Sequence, residues 1–427
     1  MMIRFIYTCL LVILSPIFLY GLYRHKEGNP KFGARWKEHF GITPPIESAT
    51  QQKVIWIHTV SVGEVLGATP LVQQLKRNYP DYTIVMTTTT ATGAEQVAKL
   101  GSIVEHRYMP LDFPFAIRGF LNAIQPQMML IMETELWPNT LAVVSSKDIP
   151  IKVINARLSE RSARKYQKFP FIFNLFSKCL DQVLCQHIDD AERFIRLGIN
   201  EKKVEVTGTI KFDIQVDDAI KYEGQCLRKQ LGANSNAPIW IAASTHAGED
   251  EQVLNAHKQV LMVFPQATLI LVPRHPERFN EVANLIEQQN LTMVRRSQSK
   301  TFLQPLNVYL ADTMGDMLLL LSASDVCFMG GSLAGKKIGG HNLLEPAALG
   351  VPSFIGPSYY NFKDVTEQLL EAQAISICHS AEELAQSVID LLVNADELSM
   401  RSQQALNVVN SNTGAIEKTL IAIQSRI

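Results

Sequence analysis

The feature that most constrains the fold is an alternation of short apolar strands with longer amphipathic helices, which occurs twice along the chain. The first series starts with VIWIHT (54–59) and closes with VEVTG (204–208). The second starts with PIWIAAST (238–245) and reaches VPSFIG (351–356). Strands that are apolar throughout and separated by helices indicate parallel sheets covered on both faces. The sequence therefore predicts an α/β protein with two Rossmann-like halves.

The length of 427 residues also favours two domains, because it exceeds what one ordinary hydrophobic core holds. We predict an N-terminal Rossmann-like domain at 53–216, a charged linker at 217–236 and a C-terminal Rossmann-like domain at 237–427. No GxGxxG motif follows the first strand, so no dinucleotide is predicted. The net charge of −1 provides no overall field for nucleic acid. The six cysteines form no CxxC pair and no cluster with zinc-ligand spacing, which favours a reducing compartment and no metal.

The N-terminus departs from this globular pattern. Residues 5–23 are about 19 positions without a charge, just enough for a helix across a bilayer core. Pro16 can kink this helix, and a position within one leaflet stays open, as does a buried core helix. Basic residues follow the segment, while only Arg4 precedes it, and this asymmetry places the rest of the chain on the cytoplasmic side. We predict a membrane anchor at 1–25 and a juxtamembrane segment at 26–52.

The first chemical motif, HTVSVGE at 58–64, follows the first strand and opens a helix. Gly63 permits a tight turn, and Glu64 falls in the first helical turn, where the helix dipole favours an ionised carboxylate. Such a carboxylate at the end of a parallel strand can accept a proton from an attacking hydroxyl. Position alone is equally consistent with an ordinary first-turn glutamate, since acidic residues are favoured there.

A pair of carboxylates comes at the end of the strand MMLIMET (128–134). Glu133 and Glu135 lie two residues apart, and on a continuing strand they share a face, where each can tune the proton affinity of the other. We favour Glu133 as the functional residue because it is nearer the strand end. Glu135 can instead cap the next helix.

Two cationic segments follow later strands of the first half. Between Arg157 and Lys165 lie four cations, and guanidinium groups suit phosphate recognition, although a solvated basic face explains them equally well. Lys211, in GTIKFD at 208–213, can neutralise an anionic donor or be a surface lysine beside the linker.

The second half contains several turns that are typical of nucleotide sites. Glycines beside a helix N-terminus expose backbone N–H groups that bind phosphate. A carboxylate such as Glu345 can accept hydrogen bonds from two ribose hydroxyls. Because these turns converge at strand ends, with Lys336 and Lys337 in a loop between two of them, they predict a nucleotide site. The turns are STHAGE (244–249), PRHPER (273–278), DTMGD (312–316), GGS (330–332) and GGHNLLEP (339–346).

The strings SVGE, ETELWPN, NARLSERS, PRHPER, GGS and GGHNLLEP together resemble those of the bacterial 3-deoxy-D-manno-octulosonic acid (Kdo) transferases, and the resemblance covers nearly the whole chain. These are inverting GT-B glycosyltransferases of lipopolysaccharide synthesis. The resemblance implies two facing Rossmann-like domains with a central cleft, preceded by the membrane-anchor helix. It also implies transfer of Kdo from CMP-Kdo to the tetra-acylated lipid A precursor (lipid IVA) at the cytoplasmic face of the cell inner membrane, with release of CMP. CMP-Kdo is then a substrate, and no cofactor or metal is expected.

Matched position by position, the resemblance makes Glu64 the general base and makes Glu133 and Lys211 transition-state stabilisers. Asp316 stands where the family usually has glutamate, and the loop 333–338 is slightly longer than usual. The resemblance also implies contacts to CMP from Pro273, Arg274, Met314, Gly315, Asp316, Asn342, Leu343, Leu344 and Glu345.

Two other functions stay open on the residues alone. One is a GT-B enzyme that uses a UDP-sugar on a membrane lipid, and the other is a membrane-anchored nucleotide-binding module without catalysis.

Overall fold

The computed structural model describes residues 2–23, 32–46, 53–214, 216–232, 237–298, 306–335 and 338–424. The chain divides into two compact units. The first unit comprises Met1–Asp213 and Asn412–Ile427, and the second comprises Ile214–Ser411. Each unit contains one seven-stranded sheet whose neighbouring strands pair in parallel. This confirms the predicted α/β class with two parallel sheets.

The strands of the first sheet are buried because helices cover both faces. Alternate residues of one strand contribute to two separate apolar clusters, Trp56 to one and Ile57 to the other. The strands are β1 Val54–His58, β2 Thr83–Thr88, β3 Glu105–Tyr108, β4 Met128–Met132, β5 Ile151–Ala156, β6 Gln182–Cys185 and β7 Val204–Val206. Their order across the sheet is β3-β2-β1-β4-β5-β6-β7.

The helices of the first unit connect these strands, as the alternating pattern predicts. Several begin with proline at the first turn, where its missing N–H has no helical partner to lose. They are α1 Met2–Tyr23, α2 Val62–Asn78, α3 Ala91–Ala98, α4 Pro114–Ile124, α5 Pro138–Ser145, α6 Glu160–Lys168, α7 Pro170–Ser177 and α8 Ile188–Arg196.

The second unit repeats the architecture. Its strands are β8 Ile239–Thr245, β9 Thr268–Pro273, β10 Met293–Arg295, β11 Val308–Leu310, β12 Val326–Met329, β13 Ser353–Ile355 and β14 Ile375–Ile377, in the order β10-β11-β9-β8-β12-β13-β14. Its helices are α9 Asp218–Leu231, α10 Glu249–Val263, α11 Phe279–Gln288, α12 Met317–Ser322, α13 Leu344–Ala348, α14 Lys363–Glu371, α15 Ala381–Val393 and α16 Ala395–Asn412.

Each sheet has one point at which the direction of strand order reverses. In the first sheet this switch point lies between β1 and β4, and in the second it lies between β8 and β12. Ligands of open α/β sheets bind beyond the carboxyl ends of the strands at such a point. The HTVSVGE turn follows β1 and the first carboxylate of ETE follows β4, whereas STHAGE and GGS follow β8 and β12.

The segment predicted as a linker, 217–236, is largely helical. Residues Asp218–Leu231 form α9, and Asp217 caps it by accepting a hydrogen bond from the N–H of Ala219. The helix packs against α12 so closely that a Cβ added at Gly224 would clash with the side chain of Ser322. The segment predicted as a charged linker is therefore mostly a packed helix of the second unit.

The C-terminal residues 412–427, predicted to lie in the second domain, belong to the first unit. They contain helix α17, Ala415–Gln424, which packs against α2. The carboxylate of Asp213 accepts hydrogen bonds from the N–H groups of Gly414 and Ile416 and so fixes the start of α17. The apolar residues of α17 complete one of the two clusters on the first sheet.

The N-terminal segment is helical, as predicted, but its role as an anchor is not confirmed. Within the part of the chain that the structure describes, no helix has both the length and the apolarity needed to cross a membrane. Helix α1 packs against α5, where the side chains of Thr8 and Asn139 hydrogen-bond. Much of the apolar surface of α1 is exposed, including Phe5, Ile13 and Ile17. Most of the basic residues predicted to follow it, at 24–31, lie outside the described residues, as does the stretch 47–52.

Candidate functional site

Glu64 is held rigidly at the start of α2. Ser61 is the N-cap residue of this helix, and its hydroxyl accepts a hydrogen bond from the N–H of Glu64. The Glu64 carboxylate accepts one from the hydroxyl of Ser61, at 3.0 Å, and one from the N–H of Val60, at 2.8 Å. This reciprocal arrangement resembles a capping box, except that the backbone donor is the N–H of Val60 and not that of the N-cap residue Ser61. Glu64 therefore stabilises the start of α2, as an ordinary first-turn glutamate does.

The proton affinity of Glu64 separates it from an ordinary cap. Burial raises the pKa of this carboxyl, the hydrogen bonds from Val60 and Ser61 lower it, and the negative charges of Glu133 and Glu135 raise it again, with a net increase. A carboxylate whose pKa moves toward neutrality is a better proton acceptor than one that is fully solvated. The structure thus brings together the three carboxylates that the sequence placed in two motifs.

Glu133 has an unusual backbone conformation. Its φ is +59°, in the left-handed region that residues with a side chain seldom adopt. Its N–H donates to the carbonyl of Ile154 in β5, at 3.0 Å, which fixes the turn directly after β4. Such conformations persist only where the surroundings impose them, and they concentrate at functional sites.

The expectation that Glu133 and Glu135 share one strand face is wrong. Strand β4 ends at Met132, and the two carboxylates lie in the following turn. Glu135 does not cap α5 either, because its carboxylate accepts a hydrogen bond from the indole N–H of Trp137, at 3.3 Å. Both groups influence Glu64 by their charge.

Lys211 lies in a short 3₁₀ helix, Ile210–Phe212, that packs against α2. The N–H of Ile210 donates to the side-chain oxygen of Asn155, which is itself in the left-handed region at the end of β5. The segment is thus tied to a strand end, while the side chain of Lys211 is exposed. Lys211 thus lies on the surface of the first unit. This position is compatible with a contact to an anionic donor and with a plain surface lysine.

The basic segment at the start of α6 is partly paired internally. The carboxylate of Glu160 accepts hydrogen bonds from Arg164, Arg193 and Arg196, and the hydrogen bonds from Arg196 and Arg164 contribute most to lowering its pKa to about 2. Arg161 and Lys165 are exposed. Part of the predicted phosphate patch is therefore an ion-pair network, and part is a solvated basic surface.

In the second unit, the prediction that the GGS turn binds phosphate through its backbone is wrong. Gly331, Ser332 and Leu333 donate their N–H groups to the carboxylate of Glu249, at 2.7, 2.9 and 2.7 Å. The N–H of His246 donates to the same carboxylate, at 3.0 Å. Glu249 is 0% exposed. An internal anion already occupies this nest of N–H groups.

The predicted contacts at 273–274 and 342–345 come close together. The N–H of Arg274 donates to the carbonyl of Thr245, which fixes the turn after β9, and the guanidinium is exposed. Burial raises the pKa of Glu345, whereas the hydrogen bond from Asn342 and the charge of Arg274 act in the opposite direction. Asn342 also accepts a hydrogen bond from the N–H of Leu344 at the start of α13.

Other predicted donor contacts differ in what they can offer a ligand. Leu343 and Leu344 are 0% and 2% exposed, so their side chains belong to the core and only their backbone is available. Pro273 is likewise buried, as the last residue of β9. Lys336 and Lys337 lie outside the described residues.

The turn at 313–316 presents a different surface. Met314 is exposed, and Gly315 has a φ of +94° that favours glycine. Asp316 accepts hydrogen bonds from Arg296, at 2.8 Å, and from Thr313, at 2.6 Å. Burial raises the pKa of Asp316, but these hydrogen bonds outweigh it and hold the pKa below the usual range.

A cavity of about 470 Å³ opens on the second unit beside the GGS turn. Ser332, Tyr359, Lys363 and His379 are among the residues that line it. None of the described residues lining it is a predicted donor contact, so we place the candidate site by strand topology and side-chain chemistry rather than by cavity size.

Comparison with known proteins now decides the family. The family model for 3-Deoxy-D-manno-octulosonic-acid transferase (kdotransferase) matches residues 34–214. The 3-deoxy-D-manno-octulosonic acid transferase of Haemophilus influenzae is 38% identical over 419 residues, which cover 98% of this chain and 97% of that protein. This chain belongs to the Kdo transferase family. It is therefore an enzyme, a glycosyltransferase that acts on Kdo.

Solved structures relate this Kdo transferase to a wider fold group. The C-terminal CMP-Kdo binding domain of WaaA from Acinetobacter baumannii is 35% identical, covering 45% of this chain and 99% of that one, with a TM-score of 0.43. UDP-GlcNAc 2-epimerase from Neisseria meningitidis covers 88% of this chain and 100% of its own, with a TM-score of 0.54 and 15% identity. This second likeness concerns the fold alone, and it fits the GT-B-like α/β architecture with two parallel sheets.

Sequence reasoning missed two features of this Kdo transferase. Glu249 closes the STHAGE turn in the sequence, and the structure shows that it also organises the GGS turn. His246 and His341 stood inside quoted motifs without a role, yet their Nε2 atoms lie 2.8 Å apart. The adjacency of both features to strand ends was visible in the sequence, but their pairing with residues about 80 to 95 positions away was not.

Proposed function

We propose that this enzyme transfers Kdo from CMP-Kdo to the lipid A precursor lipid IVA, with inversion at the anomeric carbon and release of CMP. The observation that supports it most is the Glu64 carboxylate at the switch point of the first sheet, rigidly held and with a raised pKa. The resemblance of the SVGE motif assigns the base role to the same residue. The two arguments are independent and agree.

In the proposed reaction, Glu64 takes the proton from a hydroxyl of the lipid acceptor as that oxygen attacks the anomeric carbon. CMP leaves from the opposite side of that carbon, and this single displacement inverts the configuration. Glu133, fixed by its backbone hydrogen bond to Ile154, and Lys211 stabilise the transition state, the lysine by offsetting the carboxylate of Kdo or the charge of the leaving group.

The second unit supplies the nucleotide contacts in this proposal. Arg274 binds the phosphate, because an exposed guanidinium can form paired hydrogen bonds to phosphate oxygens. Glu345 accepts hydrogen bonds from the ribose hydroxyls. The backbones of Leu343 and Leu344 are available where their side chains are not, and Asn342 positions them. Pro273 and the turn Met314, Gly315 and Asp316 complete the proposed CMP contacts.

No metal or other cofactor is part of the proposal. The leaving nucleotide has one phosphate, so no diphosphate needs a bridging cation. Addition of a chelator to the purified enzyme should leave turnover unchanged, and a loss restored by Mg²⁺ would contradict this part of the proposal.

We also propose that the enzyme acts at the inner membrane, with both units on the cytoplasmic side. The exposed apolar residues of α1 and the basic residues that follow it in sequence support association with an anionic lipid surface. Flotation with vesicles of anionic phospholipid tests this. Ile13→Asp should reduce the floated fraction severalfold, whereas equal flotation of the variant and the wild type would refute a role for α1.

The decisive experiment compares two variants that separate the base from the cap. Glu64→Gln keeps an oxygen that can accept the N–H of Val60 but cannot take a proton, whereas Ser61→Ala removes the cap hydroxyl and leaves the base. With CMP-Kdo and lipid IVA, product mass measures donor, acceptor and number of transfers together. We expect Glu64→Gln to lose turnover by at least about 100-fold and Ser61→Ala to lose far less. Equal losses would reduce Glu64 to a cap.

The remaining alternative donor is a UDP-sugar. A donor panel with the same acceptor separates the two, because turnover with UDP-sugars and none with CMP-Kdo would overturn the proposed donor while leaving the family unchanged. Membership of an enzyme family already removes support from the non-catalytic binding module.

A further inference from the structure

Two histidines meet at the switch point of the second sheet. His246 directly follows β8, and His341 belongs to the GGHNLLEP turn. Their Nε2 atoms are 2.8 Å apart, and their rings are parallel to within 6°. The ring of His341 also rests against the turn after β12, since a Cβ added at Gly331 would lie 2.9 Å from it. The pair therefore sits where ligands of open α/β sheets bind.

The chemistry of this pair limits how many protons it holds. When both rings are neutral, one Nε2 donates and the other accepts. One additional proton can be placed on a ring while the Nε2–Nε2 hydrogen bond is kept, but a second would set two N–H groups against each other. The pair thus behaves as one unit that accepts a single proton.

Burial, together with charged groups on neighbouring elements, disfavours an additional proton on the pair. Arg274 and His275 follow β9, Arg278 lies in the next turn, and the Glu249 carboxylate at the start of α10 opposes them. Burial first, and then His246, Arg274 and His275, lower the pKa of His341 to about 4. The pKa of His246 is also lowered, mainly by burial.

An anion beside Arg274 would reverse this balance. It would cancel the positive potential from Arg274, and the negative charge of Glu249 would then be opposed less, since Arg278 is itself paired with Asp250. Its own negative charge would favour an imidazolium further. No bond within the site needs to break for the proton to enter, because the Nε2–Nε2 hydrogen bond is compatible with one added proton.

We propose that His246 and His341 form a proton-accepting pair that takes up one proton from solvent when the phosphate of a cytidine nucleotide binds beside Arg274. This inference rests on the proposed function, since it takes that function's donor site as its ligand site. The two histidines are positioning residues: they add one positive charge for the bound phosphate and take no part in bond cleavage. Linkage then requires the affinity for the nucleotide to rise as pH falls, by up to about tenfold per pH unit.

Calorimetric titration of the enzyme tests the proposal, with cytidine 5′-methyl phosphate as the ligand. This phosphodiester has a single charge that does not titrate near neutrality, so any protons taken up from the buffer are bound by the protein and not by the ligand. Titrations at pH about 6.5, the ordinary histidine pKa, in buffers of different ionisation enthalpy give the number of protons bound. We expect roughly half a proton or more per ligand in the wild type.

The variants show whether the pair is the source. In His341→Gln the glutamine can still hydrogen-bond to His246, but the two-histidine proton acceptor is lost. His246→Gln makes the same change on the other side of the pair. Both variants should bind the ligand more weakly and take up close to no protons. His379→Gln, at an exposed histidine of the same unit, should keep the wild-type value. Thermal unfolding confirms that each variant is folded.

Failure of this inference differs from failure of the proposed donor. Saturable binding without proton uptake, or uptake that persists in both pair variants, would overturn the histidine pair and leave CMP-Kdo as the donor. Absence of binding by both the diester and CMP in the folded wild type would overturn the proposed donor, and the pair's assigned role with it.

Discussion

Glu249→Gln should destabilise the second unit strongly, although it replaces only one oxygen of the side chain with an NH₂ group. One carboxylate oxygen of Glu249 accepts the N–H groups of Ser332 and Leu333, and the other accepts those of Gly331 and His246. Glutamine keeps one acceptor oxygen, so its NH₂ group must face two N–H donors. The Glu249 side chain is 0% exposed, so water does not replace the acceptor oxygen that the substitution removes.

The magnitude follows from those two unpaired donors. Each buried N–H without a partner costs about 1–3 kcal/mol, which gives about 2–6 kcal/mol for the substitution. In a unit of roughly 200 residues, each kcal/mol lowers the melting temperature by about 2–4 °C, so the unit should melt about 4–24 °C lower.

Differential scanning calorimetry of the full chain measures this, since two units can unfold in separate transitions. Glu251→Gln is the matched control, because it makes the same change two residues along α10 at an exposed position. We expect the control to stay within about 2 °C of the wild type, consistent with a surface substitution. If Glu249→Gln also melts within that margin, the four hydrogen bonds do not organise the GGS turn and the reasoning is refuted.

Three further predictions concern Glu64, helix α9 of the second unit and helix α17 of the first unit. Turnover needs ionised Glu64, so kcat/KM should fall as pH drops through the raised pKa of this carboxyl. Glu135→Gln removes a negative charge that repels ionised Glu64, so it should move this acid limb of the pH profile to lower pH. An acid limb that does not move would contradict the assignment of Glu64. Gly224→Ala should lower the melting temperature of the second unit by several degrees, because the added methyl clashes with Ser322, and an unchanged calorimetric trace would show that α9 can shift freely. Asp213→Asn leaves one of the two N–H groups at the start of α17 without an acceptor. Limited proteolysis should therefore release the C-terminal peptide faster from the variant than from the wild type. Equal rates would mean that apolar packing alone holds α17.

Much of the fold could be predicted because burial on both faces leaves a local pattern. Strands such as β1 and β4 are apolar at nearly every position, and a parallel sheet requires helices between them. The linker prediction failed for a different reason. Residues 218–231 are mostly polar, and the contact that makes them a packed helix, Gly224 against Ser322, joins positions almost a hundred residues apart.

The site shows the same division between local and distant causes. A turn after a strand could be predicted at Glu133, but its left-handed backbone depends on the carbonyl of Ile154 in the neighbouring strand. The glycines of GGS indicated a nest of N–H groups correctly. What fills that nest is set by Glu249, about 80 residues earlier, and no spacing rule connects the two. Local sequence therefore predicted where polar groups gather, and the partners that decide their chemistry came from tertiary structure.

Glu64 illustrates why position in a helix cannot by itself separate a cap from a base. The helix dipole and the hydrogen bonds from Val60 and Ser61 favour the ionised form and would lower the pKa on their own. Burial and the two neighbouring carboxylates more than offset them. The same hydrogen bonds that make Glu64 a cap also hold its oxygens in one place, which a general base needs, while the burial that an ordinary cap lacks raises its proton affinity. Cap and base are thus not alternatives for this residue: the capping contacts provide the geometry, and burial with the two carboxylates that follow β4 provides the chemistry.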